Sequence, residues 1–219
     1  MGRERKNFNR SGFKRKVHSL FIIATEGEKT EKQYLNALQC CEQFNDKKIF
    51  IETIVTKKGN SSPRSVISRL DVFKKEYSIA EDDELWLVID RDKQSWEADE
   101  ISQVAQSCCQ KKYFLAISNP CFELWLLLHK KKLSDYSENE QISLFENKRV
   151  NKTRTKLEQE LKDVFGSYNK ANLRTQDYIP YVNTAIQNSS ALDDKPNERW
   201  PSNLGTHFYK LAKKLLKSN

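Results

Sequence analysis

The chain is predicted to be an α/β protein: a parallel four-stranded sheet flanked by helices, followed by a helical C-terminal extension. Three observations predict it. Short, nearly continuous apolar runs recur at 17–24, 49–55, 85–89 and 113–117, as expected of strands buried on both faces. Segments of helical spacing separate them, so β and α alternate. Beyond about residue 130 only helical patterns remain.

Each element has its own signal. VHSLFIIA at 17–24 reads as the first strand, and 30–41 as a helix whose Thr30 and Gln33 have capping-box spacing. Residues 49–55 form the second strand. The second helix, 63–77, is opened by Ser62 as N-cap and Pro63 at its first position. LWLVI at 85–89 is the third strand, 96–109 the third helix and 113–117 the fourth strand. Pro120 starts a helix running to His129, with Phe122, Trp125 and Leu126 at helical spacing. Further helices are predicted at 150–165, 178–187 and 206–217. The organisation is a basic arm (1–16), an α/β core (17–130) and a helical region packed on that core (131–219).

Length and charge narrow the function. The 219 residues suit one generous domain. No apolar run reaches the roughly 18 residues of a membrane span, which predicts a cytoplasmic protein with no membrane partner. Five cysteines show no C-x-x-C spacing and are expected to be free thiols. The net charge is +8, which points toward a polyanion. Residues 1–16 carry seven cations against Glu4, whereas 81–100 carry nine acids against Arg91 and Lys93. The arm is nearly one-signed and includes Phe8 and Phe13, so Arg10, Lys14, Arg15 and Lys16 are candidate nucleic-acid contacts. Lys152 and Arg154 in the charged 148–162 segment are further candidates, although Glu158 and Glu160 there equally suit a solvated face.

In doubly wound sheets function lies at the carboxyl ends of the strands. Glu26 follows the first strand, beside a turn at Gly27, and Asp90-Arg91-Asp92 follows the third. Alternate residues of an extended segment share a side, so Asp90 and Asp92 can face Glu26. Carboxylates meeting without cations raise one another's pKa, and a divalent metal resolves the conflict. Such a site, with Mg²⁺ or Mn²⁺, suits phosphodiester cleavage. Glu123, in the first turn of an apolar helix after the fourth strand, reads either as a helix-dipole partner or as a supporting metal ligand. His129 reads as structural.

TEGEKTE at 25–31, VIDRD at 88–92 and SNPCFELWLLLH at 118–129 together resemble the RloB-like family of the Toprim superfamily. YNK at 168–170 and WPSNLGTHFYKL at 200–211 are weaker matches. The resemblance implies a Toprim catalytic fold in which Glu26 takes the position of the glutamate and Asp90 and Asp92 those of the metal-binding aspartates. It implies a nuclease acting on RNA such as tRNA, or on DNA, as a toxic effector of bacterial anti-phage defence and abortive infection. An ATPase partner is implied too, and a homo-oligomer is compatible with it. Gln94 stands where a D-x-D-x-D version has its third aspartate, leaving one or two metals open. Lys170 reads either as a point charge for the scissile phosphate or as a solvated loop lysine. The alternative function is non-enzymatic: a nucleic-acid-binding or receiver-like regulatory module.

Overall fold

The computed structural model describes residues 5–7, 19–55, 62–91 and 98–217. Five strands form the main sheet: β1 (Ser19–Thr25), β2 (Ile49–Ile54), β3 (Glu84–Asp90), β4 (Phe114–Asn119) and β5 (Gly205–Thr206). Their order is β2-β1-β3-β4-β5; the first four are parallel and β5 is antiparallel to β4. The fifth strand corrects the four-stranded expectation. It is two residues long and comes from the C-terminal region, too short to leave a period in the sequence.

Eight α-helices are present among the described residues: α1 (Thr30–Gln39), α2 (Pro63–Glu76), α3 (Ala98–Lys111), α4 (Phe122–Leu127), α5 (Glu138–Glu146), α6 (Lys156–Phe165), α7 (Val182–Ala191) and α8 (Phe208–Leu215). Alternation along the strands sends side chains to two separate cores. Leu20, Ile22, Leu85 and Leu87 pack against Val66 and Leu70 of α2 and Ile101 and Val104 of α3. Phe21, Ile23, Trp86 and Val88 pack on the other face with Leu35 of α1, Trp125 of α4, Leu161 of α6 and Leu211 of α8. That second core joins residues before and after 130 in one apolar cluster.

Several boundaries moved. Ser62 caps α2 as predicted, its Oγ accepting from Ser65 N at 3.2 Å. Thr30 and Gln33 cap nothing; both side chains are bound to a distant loop, described below. The fourth helix begins at Phe122, after Cys121, and ends at Leu127. The predicted 150–165 helix begins only at Lys156, because Thr155 and Glu158 close a capping box there. His129 is structural: its Nε2 meets Tyr34 OH at 2.9 Å, and burial pushes its pKa down to about 3.

The two edges of the sheet differ in use. Asp83 stands at the amino edge and accepts from Leu20 N and Ala80 N, each at 2.8 Å. Glu84 pairs with Lys214 at 2.6 Å. The acids at 83–84 are therefore structural, and β3 separates them from Asp90 by about 20 Å at the usual rise per residue. Lys6–Asn7 pairs in parallel with Tyr77–Ser78, which precedes β3 in the chain, in a separate two-stranded sheet. The candidate arm contacts Arg10, Lys14, Arg15 and Lys16 lie outside the described residues.

Candidate active site

The order β2-β1-β3 places the topological switch between β1 and β3, where a crevice opens at the carboxyl edge. Glu26 follows β1 directly. Its N–H continues the ladder to Val88 O at 3.0 Å, and its Oε2 accepts from Asp90 N at 3.0 Å. Asp90 ends β3, and its Oδ1 accepts from Phe122 N at 2.9 Å, at the start of α4. The two predicted carboxylates are thus linked by backbone N–H donors, from the end of β1 through the end of β3 to the start of α4. Asp92 lies outside the described residues.

A third acid joins them, one to which the sequence alone assigns no role. Glu31, in the first turn of α1, is buried, and its Oε1 accepts from Gly27 N at 3.2 Å. A Cβ on Gly27 would fall 2.1 Å from Glu31 Oε2. The glycine is there because the carboxylate folds back onto its backbone. The spacing of four between Gly27 and Glu31, one helical turn, is the signal that was available.

Glu123 sits in the first turn of α4 and is only 3% exposed. Its Oε1 accepts from Tyr168 OH at 2.7 Å and from Lys170 Nζ at 2.9 Å. Lys170 also meets Glu158 Oε1 at 3.0 Å. Lys170 therefore does reach the site, engaged with carboxylates. Its loop is tied down from α1: Thr30 Oγ1 and Gln33 Nε2 donate to Lys170 O, each at 3.3 Å, and Gln33 Oε1 accepts from Leu173 N at 3.0 Å. This explains why Thr30 and Gln33 are not caps: a long-range loop competes for the same side-chain groups.

The electrostatics divide the cavity. Burial, then the charges of Glu26, Glu31 and Glu123, push the Asp90 carboxyl well above its usual range, with Lys170 opposing. Glu31 is pushed up too, by burial first and by Glu123 among its neighbours. Burial acts on Glu123 in the same direction, yet Lys170, with hydrogen bonds from Cys121 and Tyr168, holds it below the usual range. Burial alone would lower the Lys170 ammonium; Glu123 and Glu158 more than reverse this. Beside Glu26, the Arg69 guanidinium is lowered by burial and partly held up by that carboxylate.

The resulting cavity, about 460 Å³, is lined by Glu26, Glu28, Glu31, Asp90, Glu123 and Lys170 among others. Its donors are carboxylate oxygens, the hard ligands that Mg²⁺ or Mn²⁺ takes, and the raised Asp90 shows where positive charge is wanted. Among the described residues no three His, Cys, Asp or Glu side chains already close around one point. Lys152 and Arg154 stand apart in the turn before α6, where Asn151 Oδ1 accepts from Arg154 N at 2.9 Å. Neither lines this cavity.

A family model described as RloB-like protein matches residues 21–215. No curated protein and no solved structure matches the chain. No helix among the described residues is long and apolar enough to cross a membrane.

Proposed function

The chain belongs to the RloB-like family, and from that premise we propose that it is a metal-dependent nuclease of Toprim type, hydrolysing phosphodiester bonds in nucleic acid. The observation that carries the reading is Asp90, held at the switch point with Glu26 and Glu31 and driven toward protonation by burial first and then by their charges. A group so disposed is a candidate site on physical grounds. Asp90 and Glu26 would hold Mg²⁺ or Mn²⁺, with Asp92 the further candidate ligand. Such an ion would supply charge for a phosphoryl oxygen and for an attacking water.

The chain's own residues supply the rest. Glu26 orients the end of β3 by accepting from Asp90 N. Glu31 adds negative charge beside Asp90 and fixes the Gly27 turn. Lys170 keeps Glu123 ionised although it is buried, and offers the cavity a cation that a phosphate can approach. The biological reading is a toxic effector of bacterial anti-phage defence, working with an ATPase partner. A receiver-like module is less well supported, since Lys170 engages Glu123 and Glu158.

The test is cleavage of tRNA, single-stranded RNA, plasmid and linear DNA with Mg²⁺ or Mn²⁺, with wild type beside Glu26→Gln and Asp90→Asn. Cleavage by wild type alone is expected. Equal cleavage by all three proteins would overturn the assignment.

A further inference from the structure

A second cavity opens beside the carboxylates. It measures about 610 Å³, shares Asp90 and Lys170 with the first, and extends past Pro120 and Cys121 to the corner between α5 and α6. There Phe145, Lys148 and Arg149 line it. We propose that this cavity receives the nucleotides flanking the phosphate at Asp90, and that the substrate is therefore a polynucleotide strand whose bases there are unpaired. The proposal rests on the nuclease reading and adds the substrate's form and the residues that hold it.

Charge is placed where a flanking phosphate would need it. Lys148 pairs with Glu146 at 3.0 Å, but the two side chains are 72% and 47% exposed. Such a surface pair holds at most about 1 kcal/mol and yields readily to a phosphate. Arg149 spends one nitrogen, Nη1, on Lys152 O at 3.1 Å. Its remaining N–H groups have no protein partner among the described residues, and a guanidinium fork suits phosphate.

The same wall is apolar where a base would lie. Phe145 is half-buried on the core and also faces the cavity, and Ile142 beside it is 57% exposed. An aromatic face next to cations is the pattern that binds single strands, bases stacking while phosphates meet positive charge. A cavity of this size admits one or two nucleotides. A duplex keeps its bases inside, so a base reaches such a pocket only when unpaired or turned out.

The wall is also fixed to the site. Asn147 ends α5 in the left-handed region (φ 44°). Its Oδ1 accepts from Leu157 N at 2.9 Å, and its Nδ2 donates to Cys121 Sγ at 3.4 Å. Cys121 precedes α4, whose first N–H holds Asp90. A strand seated at Lys148 and Arg149 is thereby referenced to the reacting end of β3. Lys152 and Arg154 line neither cavity.

The experiment compares wild type with Lys148→Glu/Arg149→Glu. Lys75→Glu/Lys112→Glu, two cations away from both cavities, is the matched charge control. Binding of a fluorescein-labelled single-stranded oligonucleotide is read by anisotropy across a salt series with Ca²⁺ present, and cleavage is read with Mg²⁺ on the same strand, on a hairpin and on a full duplex. The cavity variant is expected to lose at least about tenfold in affinity, with the salt slope reduced by about 1.4 for two contacts. The control should stay within twofold. Wild type should prefer the single strand and the hairpin loop to the duplex. A 2-aminopurine base beside the cut should report stacking that Phe145→Leu weakens.

Equal losses in the cavity variant and the control, or cleavage of duplex as fast as single strand, would overturn the inference while leaving the nuclease reading intact. Wild type that neither binds nor cuts any of these strands would overturn both.

Discussion

Asp90 and Glu123 line the same cavity, yet their surroundings drive them in opposite directions. Both carboxyls are heavily desolvated. Asp90 accepts one backbone N–H and has Glu26 and Glu31 close by, so its charged form is disfavoured. Glu123 receives an ammonium and a phenol, so its charged form is favoured. The protein thus pairs Glu123 with its own lysine, whereas Asp90 has no ion pair among the described residues. Burial alone does not mark the place for a cation; burial without an internal partner does.

The largest expected effect comes from removing the unsatisfied charge. Asp90→Asn keeps an oxygen for Phe122 N but not the negative charge. Nuclease activity should fall by on the order of 10³-fold, about 4 kcal/mol in barrier terms. Stability without metal should rise. A raised folded pKa means that Asp90 favours the folded state when protonated, and that this contribution is lost as pH climbs from the unfolded carboxyl value through the raised folded one. Glu31 has the same sign. Metal-free wild type should therefore lose stability over that window, and Asp90→Asn should lose less, its melting temperature above wild type at pH 7 by about 2–4 °C for each kcal/mol recovered. Mg²⁺ should raise the wild-type melting temperature and leave the variant nearly unmoved. Identical melting curves for the two proteins at all pH values, with and without Mg²⁺, would break the contrast.

The next test makes Glu123 resemble Asp90. Lys170→Met leaves Glu123 buried with only the Tyr168 phenol and the Cys121 thiol as partners. Removing one partner of a fully buried pair costs about 3–5 kcal/mol. The Lys170 side chain is 55% exposed, so water screens the loss and about 1–2 kcal/mol is expected. Glu123→Gln in the same chain should restore at least half of it, measured by urea unfolding. If the contrast is right, Lys170→Met should also gain more stability from Mg²⁺ than wild type does.

Gly27→Ala tests the Asp90 half by geometry. The new methyl would overlap the Glu31 carboxylate and force it off Gly27 N. A cost of about 1–2 kcal/mol is expected, combining a displaced carboxylate with a lost, partly buried hydrogen bond. Glu31→Ala removes the obstacle, so the double variant should be less destabilised than the sum of the singles. Strict additivity in a double-mutant cycle would show that the two residues do not meet.

These contrasts were unevenly legible in the sequence. The apolar strands and the Glu26–Asp90 convergence could be read because parallel strands end at one edge, and the periods that reveal strands also fix their ends. Glu31 was harder, since an acid in a first helical turn usually only serves the dipole. Its burial depends on Gly27 lying beneath it. Tyr168, quoted only within the YNK match, and Glu158, read as part of a solvated face, received no role because they reach the site through the folding of α6 against α4, which leaves no period in the sequence. The acidic run at 81–100 misled in part: Asp83 and Glu84 serve the amino edge, and no count of charge along the chain tells one end of a strand from the other.

The smallest effect is the most specific to how the two halves are joined. Gln33 binds Lys170 O and Leu173 N with the two ends of one amide. It thereby connects α1, which carries Glu31, to the loop that carries Lys170. Gln33→Ala should cost about 1 kcal/mol, since the freed backbone groups can turn to water. Gln33→Glu keeps the acceptor for Leu173 N and loses the donor to Lys170 O, so it should recover about half of that. The consequence for the site is a Lys170 held less firmly over Glu123, with cleavage reduced by only about two- to fivefold. Hydrogen exchange should then be faster at Ala171 and Leu173 but unchanged at Asp90, whose N–H is held by Glu26. Faster exchange at Asp90 as well would mean that the two halves of the cavity move as one body and that their difference in charge is not matched by a difference in support.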